Sequence, residues 1–302
     1  MCGIVGLHLR TPELYPRLGE LLTGMLCEMG DRGSDSAGVA VYGDPSWSPP
    51  GRGCVSVADL GTGRRDDADQ VAAAVAAALG ADVSGVAVDR SYVLSADVDS
   101  EILLNALHSA FPDALVAGFG ADIAVLKGVG HPRTLTAGWR LTGAQGWQGV
   151  GHTRMATESA VTPAGCHPYA VGPGQCMVHN GSFANHATIR RELRAVGVAF
   201  DSDNDTEVGA RFIAGLLSQG LDVETALKQL CATFDGFYTL LVSNRDSFAV
   251  VRDAIACKPA VIAETDDWVA MGSEYRALAG LPDVERARIW EPEPEVVYAW
   301  SR

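Results

Sequence analysis

The chain has 302 residues, of which 47% are apolar and 20% charged, a composition that is normal for a globular protein of one or two domains. Its 37 acidic and 23 basic side chains give a net charge of −14, which argues against nucleic acid or an anionic membrane surface as a partner. The sequence shows no run long enough for a membrane span and no signal-peptide pattern, so we expect a cytoplasmic protein.

The cysteines are odd in number and widely scattered. No two of them stand in a C-x2-C pair, so the pattern predicts neither a disulfide framework nor a zinc site, and we expect no metal and no cofactor. The seven positions are Cys2, Cys27, Cys54, Cys166, Cys176, Cys231 and Cys257.

The first predicted element is a buried strand over residues 2–9, rich in Ile, Val and Leu, with a thiol at Cys2. Removal of Met1 would leave Cys2 with both a nucleophile and a free α-amine. The ordinary pKa of such an amine is about 8, low enough for it to accept the thiol proton at neutral pH. The alternative is a cysteine that only packs in a strand, and this segment alone leaves both interpretations open.

An amphipathic helix is predicted next, because apolar residues recur at three- and four-residue steps between residues 14 and 29 and Gly30 ends the pattern. Residues 31–38 then form a loop dense in charge and glycine, followed by the apolar residues 39–42. This loop is either a plain turn or one wall of a substrate pocket.

The composition changes after residue 43, where proline, glycine and serine predict a loop or linker over residues 43–63. The pattern then predicts a helix over residues 66–79, a strand over 91–96, a helix over 100–110 and a strand over 123–129. We find no catalytic motif in residues 45–140, where His108 and His131 are isolated.

Polar motifs return after residue 150. Arg154 stands among small residues at a predicted strand end, where it could bind a carboxylate with two hydrogen bonds or form a structural ion pair. At Asn180 and Gly181, a side-chain amide and a backbone amide could together hold an oxyanion. The same dipeptide is typical of a type I′ hairpin turn, which the local pattern favours.

A cluster of acidic residues over 201–207 precedes a predicted helix that includes residues 208–217. Helix capping explains one or two of these side chains, and the others suggest a carboxylate that binds an ammonium group. An EF-hand calcium loop lacks its glycine and closing glutamate here. The remaining pattern predicts helices over 185–196 and 223–230, and strands over 237–242, 248–251, 259–263 and 268–271.

Five motifs occur in the order found in class II glutamine amidotransferases, and the chain resembles the N-terminal-nucleophile glutaminase domains of that family. The resemblance covers residues 1–43 and about 150–280, which implies one amidotransferase domain over 1–302 with 45–140 as an insertion. It implies an α+β fold, a four-layer αββα sandwich of the Ntn-hydrolase type, where the pattern alone predicts only mixed α and β. The motifs are Cys2-Gly3-Ile4-Val5-Gly6, Arg32-Gly33-x-Asp35-Ser36-Ala37-Gly38, Gly151-His152-Thr153-Arg154, His179-Asn180-Gly181 and Asp205-Thr206-Glu207.

The resemblance also implies a role for individual residues. Cys2 would attack the side-chain amide of glutamine, while Asn180 and the amide of Gly181 hold the oxyanion. Arg154 would bind the α-carboxylate and Asp205 the α-ammonium group. Ammonia would leave, and water would hydrolyse the γ-glutamyl thioester. The other substrate-binding residues implied by the resemblance are Thr157, His179 and Arg32.

The sequence contains no second catalytic domain and no phosphate-binding motif, so we expect the ammonia to serve a partner. The architecture resembles the separate glutaminase subunit of glutamate-synthase-like complexes such as N-methylglutamate synthase. One alternative is a stand-alone γ-glutamyl amide or peptide hydrolase of the same fold, although those tend to begin Met-Cys-Arg and Gly3 stands here. Another is a catalytically silent regulatory subunit, which a full set of site residues argues against.

Overall fold

The computed structural model describes residues 2–63, 66–155 and 161–302. Within these residues no helix is both long and apolar enough to cross a bilayer. The helices are α1 (Leu18–Glu28), α2 (Ala68–Leu79), α3 (Ser100–Ala110), α4 (Pro132–Gly138), α5 (His186–Ala195), α6 (Asp205–Ser218) and α7 (Val223–Thr233). The strands are β1 (Gly3–Leu9), β2 (Ser36–Tyr42), β3 (Gly53–Asp59), β4 (Val83–Val88), β5 (Ser91–Ala96), β6 (Leu115–Ala121), β7 (Ile123–Val129), β8 (Gln148–Arg154), β9 (Cys176–Phe183), β10 (Gly236–Ser243), β11 (Ser247–Arg252), β12 (Val261–Glu264), β13 (Trp268–Gly272), β14 (Arg288–Trp290) and β15 (Tyr298–Ser301).

Two antiparallel sheets pack face to face and form the centre of the molecule. The larger has the strand order β14-β12-β13-β1-β8-β2-β7, and the smaller has the order β15-β11-β10-β9. Apolar side chains such as Ile4, Val150, Val178 and Leu241 fill the space between them. The first helix covers the outer face of the larger sheet, and α5 to α7 cover that of the smaller. The predicted αββα sandwich is therefore confirmed.

The close approach of the two sheets explains one glycine of the N-terminal motif. A Cβ atom at Gly6 would lie 2.3 Å from Cδ1 of Leu241 and 2.7 Å from Cε2 of Phe248. Any larger side chain would force the sheets apart in the middle of the core. The motif around Cys2 is thus adapted to the packing of the sandwich.

A third sheet lies within the predicted insertion and has its own hydrophobic core. Strands β3 to β6 and helices α2 and α3 form a βαββαβ unit with the strand order β4-β5-β3-β6, and α2 packs against α3. Its core contains Val55, Val71, Leu94 and Leu103. The following strand, β7, pairs with β2 in the large sheet. The limits 45–140 for an insertion remain a prediction.

The expectation of a linker over residues 43–63 was wrong, because β3 lies inside that range. This strand is central, paired with β5 on one side and β6 on the other, and residues 53–57 are buried. The proline and glycine residues just before this strand led the composition to predict a loop. Residues 36–38, expected in a loop, begin β2. The sequence pattern also failed to predict β4, β6, α4, β14 and β15.

Candidate active site

Three of the sequence motifs meet at the backbone of Cys2. This half-buried residue stands immediately before β1, in the middle of the large sheet. Its carbonyl oxygen accepts hydrogen bonds from Nε of Arg32 at 3.0 Å and from Nδ2 of Asn180 at 3.3 Å. The strand, the loop after α1 and β9 are therefore fixed against one another at the thiol-bearing residue.

Arg32 links the N-terminus to a carboxylate that the sequence did not reveal. Its Nη1 atom lies 2.5 Å from Oε1 of Glu274, and this hydrogen bond holds the pKa of that carboxyl below its usual value. Its Nη2 atom is buried and has no hydrogen-bond partner among the described residues. The preceding residue, Ser273, exchanges two hydrogen bonds of 2.9 Å with the backbone of Ile4. An acidic residue just after a predicted strand was the only available signal for Glu274.

Asn180 and Gly181 lie inside a continuous strand, so the type I′ hairpin favoured by the local pattern is wrong. They pair with Thr239 and Tyr238 of β10. The φ angle of Gly181 is +146°, and a Cβ atom there would lie 2.0 Å from the carbonyl oxygen of Phe237. The dipeptide thus reflects a backbone conformation that only glycine readily adopts, within a strand.

The amide of Gly181 faces away from β10. Tyr238, its partner, uses both its N–H and its carbonyl to bond Asp253 on the opposite side. Gly181 and Tyr238 therefore form a non-hydrogen-bonded pair, in which the amides point outward. Because β9 is the edge of its sheet, this amide points to the open edge, as an oxyanion donor requires.

Arg154 and Asp205 come to this region on different elements. Arg154 ends β8 with only 6% of its surface exposed, one position beyond the Gly3–Thr153 pair, and is thus at the same end of the strand pair as Cys2. Its carbonyl accepts from the amide of Asp35 at 3.1 Å. Asp205 opens α6, where its Oδ2 atom accepts from the amide of Phe183 at 2.8 Å. The helix is capped by Asn204, which explains why Asp205 is not needed as a cap.

His179 belongs to β9, and its side chain contacts α6. Its Nδ1 atom pairs with the hydroxyl of Thr206 at 2.8 Å, and its ring stacks on Phe183 with centroids 4.4 Å apart. Because strand residues alternate, its ring and the Asn180 side chain are on opposite faces of β9. Thr157, the remaining predicted residue, lies outside the described part of the chain.

Two further histidines join His179 in a buried cluster that the sequence did not reveal. The rings of His152 and His167 are 4.0 Å apart, and Nε2 of His152 lies 3.0 Å from the carbonyl oxygen of His179. Burial lowers the pKa of His152 to about 3 and of His179 to about 4, and lowers that of His167 well below its ordinary value. All three are neutral at pH 7. Among the described residues, no group of three side chains could hold a metal ion.

Comparison with known proteins agrees with this geometry. The profile of a family described as "Glutamine amidotransferase domain" matches residues 152–280. The chain is 46% identical to the Glutamine amidotransferase-like protein GlxB of Rhizobium meliloti (strain 1021), over 100% of this chain and 98% of that protein. It is 28% identical to a putative glutamine amidotransferase of Methanothermobacter thermautotrophicus, over 99% of both.

More distant relatives are longer than this chain. A Glutamine--fructose-6-phosphate aminotransferase of Mycobacterium tuberculosis is 34% identical over 140 residues, which are 45% of this chain and 22% of that enzyme. Among solved structures, the glutamine phosphoribosylpyrophosphate amidotransferase of B. subtilis has the same fold, with a TM-score of 0.60 at 17% identity. That match covers 99% of this chain, which spans about half, 49%, of the solved enzyme.

Proposed function

The chain belongs to the class II glutamine amidotransferases, and on that premise we propose that Cys2 is the nucleophile that releases ammonia from glutamine. One observation carries this proposal: the carbonyl of Cys2 is held from two sides by Arg32 and Asn180. These contacts fix the cysteine beside an amide donor that can act on the reacting group. An asparagine amide has two N–H bonds, so Asn180 can bond Cys2 with one and an oxyanion with the other.

The proposed reaction begins when removal of Met1 frees the α-amine of Cys2. This amine accepts the thiol proton, and the thiolate attacks the side-chain amide carbon of glutamine. The C=O double bond opens to an oxyanion, which Asn180 and the amide of Gly181 stabilise. When the oxyanion collapses, the C–N bond breaks and the α-ammonium group returns its proton to the leaving ammonia. Water then adds to the thioester, which releases glutamate and restores the thiol.

The two charged ends of glutamine need two partners. We assign its α-carboxylate to Arg154, whose guanidinium can donate two parallel hydrogen bonds, and its α-ammonium to Asp205. Asp205 is at the first turn of α6, where a negatively charged side chain interacts favourably with the helix dipole. Arg32, Thr157 and His179 complete the proposed pocket, with His179 acting through Thr206.

Substrates blocked at one end test this assignment directly. We expect glutamine to be hydrolysed, and C-terminally amidated or N-acetylated glutamine to lose at least about thirtyfold in kcat/KM, because each lacks one charge. Glutamate release is the measurement. Equal turnover of glutamine and its amide would exclude the arginine contact and favour a γ-glutamyl peptide hydrolase.

We further propose that the ammonia serves a synthase partner, in a cytoplasmic complex of the glutamate-synthase type such as N-methylglutamate synthase. The chain matches GlxB, which is described as a glutamine amidotransferase-like protein, over 98% of that relative's length. The surplus of 37 acidic over 23 basic side chains suits a basic partner surface. Ammonia is mostly protonated at pH 7, so direct transfer preserves its nucleophilic form.

An assay of glutamine hydrolysis with and without candidate synthase subunits and their acceptor substrate tests the partner. We expect slow hydrolysis by the isolated chain and faster hydrolysis in the complex, because the partner would favour a closed glutamine pocket. Full turnover by the isolated chain, unchanged by the subunits, would contradict the partner proposal and leave the glutaminase assignment intact.

A further inference from the structure

A cavity lies between the third sheet and the main sandwich, apart from the glutamine site. Its volume is about 250 Å³, and its lining contains none of the residues that we assign to glutamine. One wall is apolar and includes Leu115 and Phe119 of β6. The other is polar and includes Lys127 of β7, Tyr169, and Glu207 of α6. A cavity with one apolar and one polar wall suits a small amphipathic molecule.

Lys127 is an unusual residue in this cavity, because its buried ammonium group is in direct contact with no carboxylate of the described residues. The residue is 9% exposed. Its Nζ atom lies 5.0 Å from the ring centroid of Tyr169, and in the described parts of the chain it takes part in no hydrogen bond and no salt bridge. Burial lowers its pKa to about 8, so most of it is charged at pH 7. A buried charge without a partner is costly and is rarely kept without a use.

The acidic residues of the cavity are already occupied by other donors. Glu207 accepts hydrogen bonds from the backbone amides of Asp201 and Ser202 at 2.9 and 2.7 Å, and from the Ser202 hydroxyl at 2.7 Å. The guanidinium of Arg211 contacts both acids, at 3.0 Å to Glu207 and 2.6 Å to Asp201. Neither carboxylate bonds the lysine. The lining thus has two cations and two carboxylates, and of these four groups Lys127 is the one whose charge takes part in no hydrogen bond or ion pair within the described residues.

We propose that this cavity binds a small aliphatic carboxylate, with its carboxyl group on Lys127 and its hydrocarbon body against Leu115 and Phe119. The volume is below the usual range for ligand pockets, about 300 to 1,000 Å³, so the acid has only a few carbon atoms. The ligand carboxylate supplies the direct ion pair that no described residue makes with the lysine.

The cavity and the glutamine site share the first turn of α6. Asp205 bonds the amide of Phe183 in β9, Thr206 bonds His179, and Glu207 lines the cavity. Three consecutive residues thus connect the new site to the strand that carries Asn180. Occupancy of the cavity should therefore alter glutamine affinity. This second part of the proposal rests on the proposed function, whereas binding itself does not.

Propionate is a suitable probe, with propionamide as its neutral analogue. We expect saturable binding of propionate to the full chain by calorimetry, and no binding of propionamide. Lys127→Met should lose at least about tenfold in affinity, because a charged hydrogen bond is removed. It should fold, since a buried unpaired charge is replaced by an apolar side chain of similar length. Lys228→Met is the matched control: that lysine is exposed on α7, paired with Glu224 at 2.6 Å, and its loss should leave binding unchanged.

Binding that survives in Lys127→Met, equal binding of propionamide, or no saturable binding of propionate up to about 10 mM would overturn the site. For the coupling, propionate should change the KM for glutamine by about fivefold or more in the wild type and leave Lys127→Met unaffected. Binding without any change in KM would overturn the coupling alone. Because calorimetry needs no turnover, failure of the glutaminase proposal would be recognised separately.

Discussion

The sandwich and the third sheet bury very different side chains. Near Cys2 the sandwich encloses charged and polar residues, among them Arg32, Arg154 and Asn180, each less than 9% exposed. The core of the third sheet consists of aliphatic and aromatic side chains. Buried side-chain atoms without a hydrogen-bond partner follow the same division. Of those found among the described residues, Arg52 is the single residue within 45–140, whereas Arg32 contacts Cys2, and His152 and His179 belong to the site motifs.

This contrast indicates that the region around Cys2 contributes less to folding stability than the core of the third sheet, because its buried groups serve the proposed catalysis. Burying a polar group without a full set of hydrogen bonds costs free energy of folding. Such groups persist where a substrate can complete their bonding, and Arg32 with its unpaired Nη2 atom is one example. Substitutions in the two regions should therefore separate activity from stability.

The largest loss of turnover should come from Asn180→Ala. Removal of one oxyanion donor lowers kcat by about 10²- to 10³-fold in known enzymes. Steady-state glutamate release measures it. Asn244→Ala is the control, since among the described residues that side chain bonds the amide of Asp246 and no other group. A rise in KM with kcat unchanged would place Asn180 in substrate binding instead.

A smaller loss is expected from Arg154→Ala and from Asp205→Ala, about thirtyfold each in kcat/KM. The assignment becomes sharper with a double-mutant cycle. Arg154→Ala should hydrolyse glutamine and its C-terminal amide equally well, because the guanidinium that binds the α-carboxylate is gone. If the variant still discriminates between the two, another residue binds the carboxylate.

The neutral histidine cluster predicts a pH effect on stability. Because burial lowers the pKa of His152, His167 and His179, the unfolded chain binds more protons than the folded chain below pH 6.5. Each histidine should lower the free energy of unfolding by about 1.4 kcal/mol for each unit by which the pH falls between about pH 6.5 and 5. The lowered pKa of His8 adds to the same slope. Urea unfolding measures the slope. His152→Gln should reduce it, and the exposed His108→Gln should leave it unchanged.

The smallest effect on turnover is expected from the core of the third sheet. Leu103 is fully buried in α3, so Leu103→Ala should cost about 2 to 5 kcal/mol of unfolding free energy. Its kcat under folding conditions should remain that of the wild type. Ile102→Ala, on the exposed face of the same helix, should change neither quantity. A large loss of kcat at full folding would show that the third sheet shapes the glutamine site.

The sequence allowed several elements of the sandwich to be predicted, because strands such as residues 2–9 and the helix that includes residues 208–217 carry strong local patterns, whereas β14 and β15 were missed. It did not allow the position of Asn180 and Gly181 to be predicted correctly. A local turn signal competed there with pairing to β10, which depends on residues more than fifty positions away. Strand β3 was missed for the same reason, since its partners are β5 and β6.

The candidate site could be predicted as a set of residue types, and much less as contacts. The motifs pointed to Cys2, Arg32 and Asn180, and the structure brings these three together. Glu274 and the histidine cluster depend on contacts across the fold, such as the 242 positions between Arg32 and its carboxylate partner. No local pattern can report such a distance along the chain.

The most direct test of the account is the intact mass of an active preparation before and after a glutamine-like alkylating agent. The account predicts that active chains lack Met1 and that the agent adds one group, at Cys2, in step with loss of turnover. The control variant Cys27→Ala should be labelled to the same extent as the wild type. The Cys27 thiol that it removes lies in α1 beside Thr136. Fully active chains that retain Met1, or inactivation without any group on Cys2, would contradict the central claim.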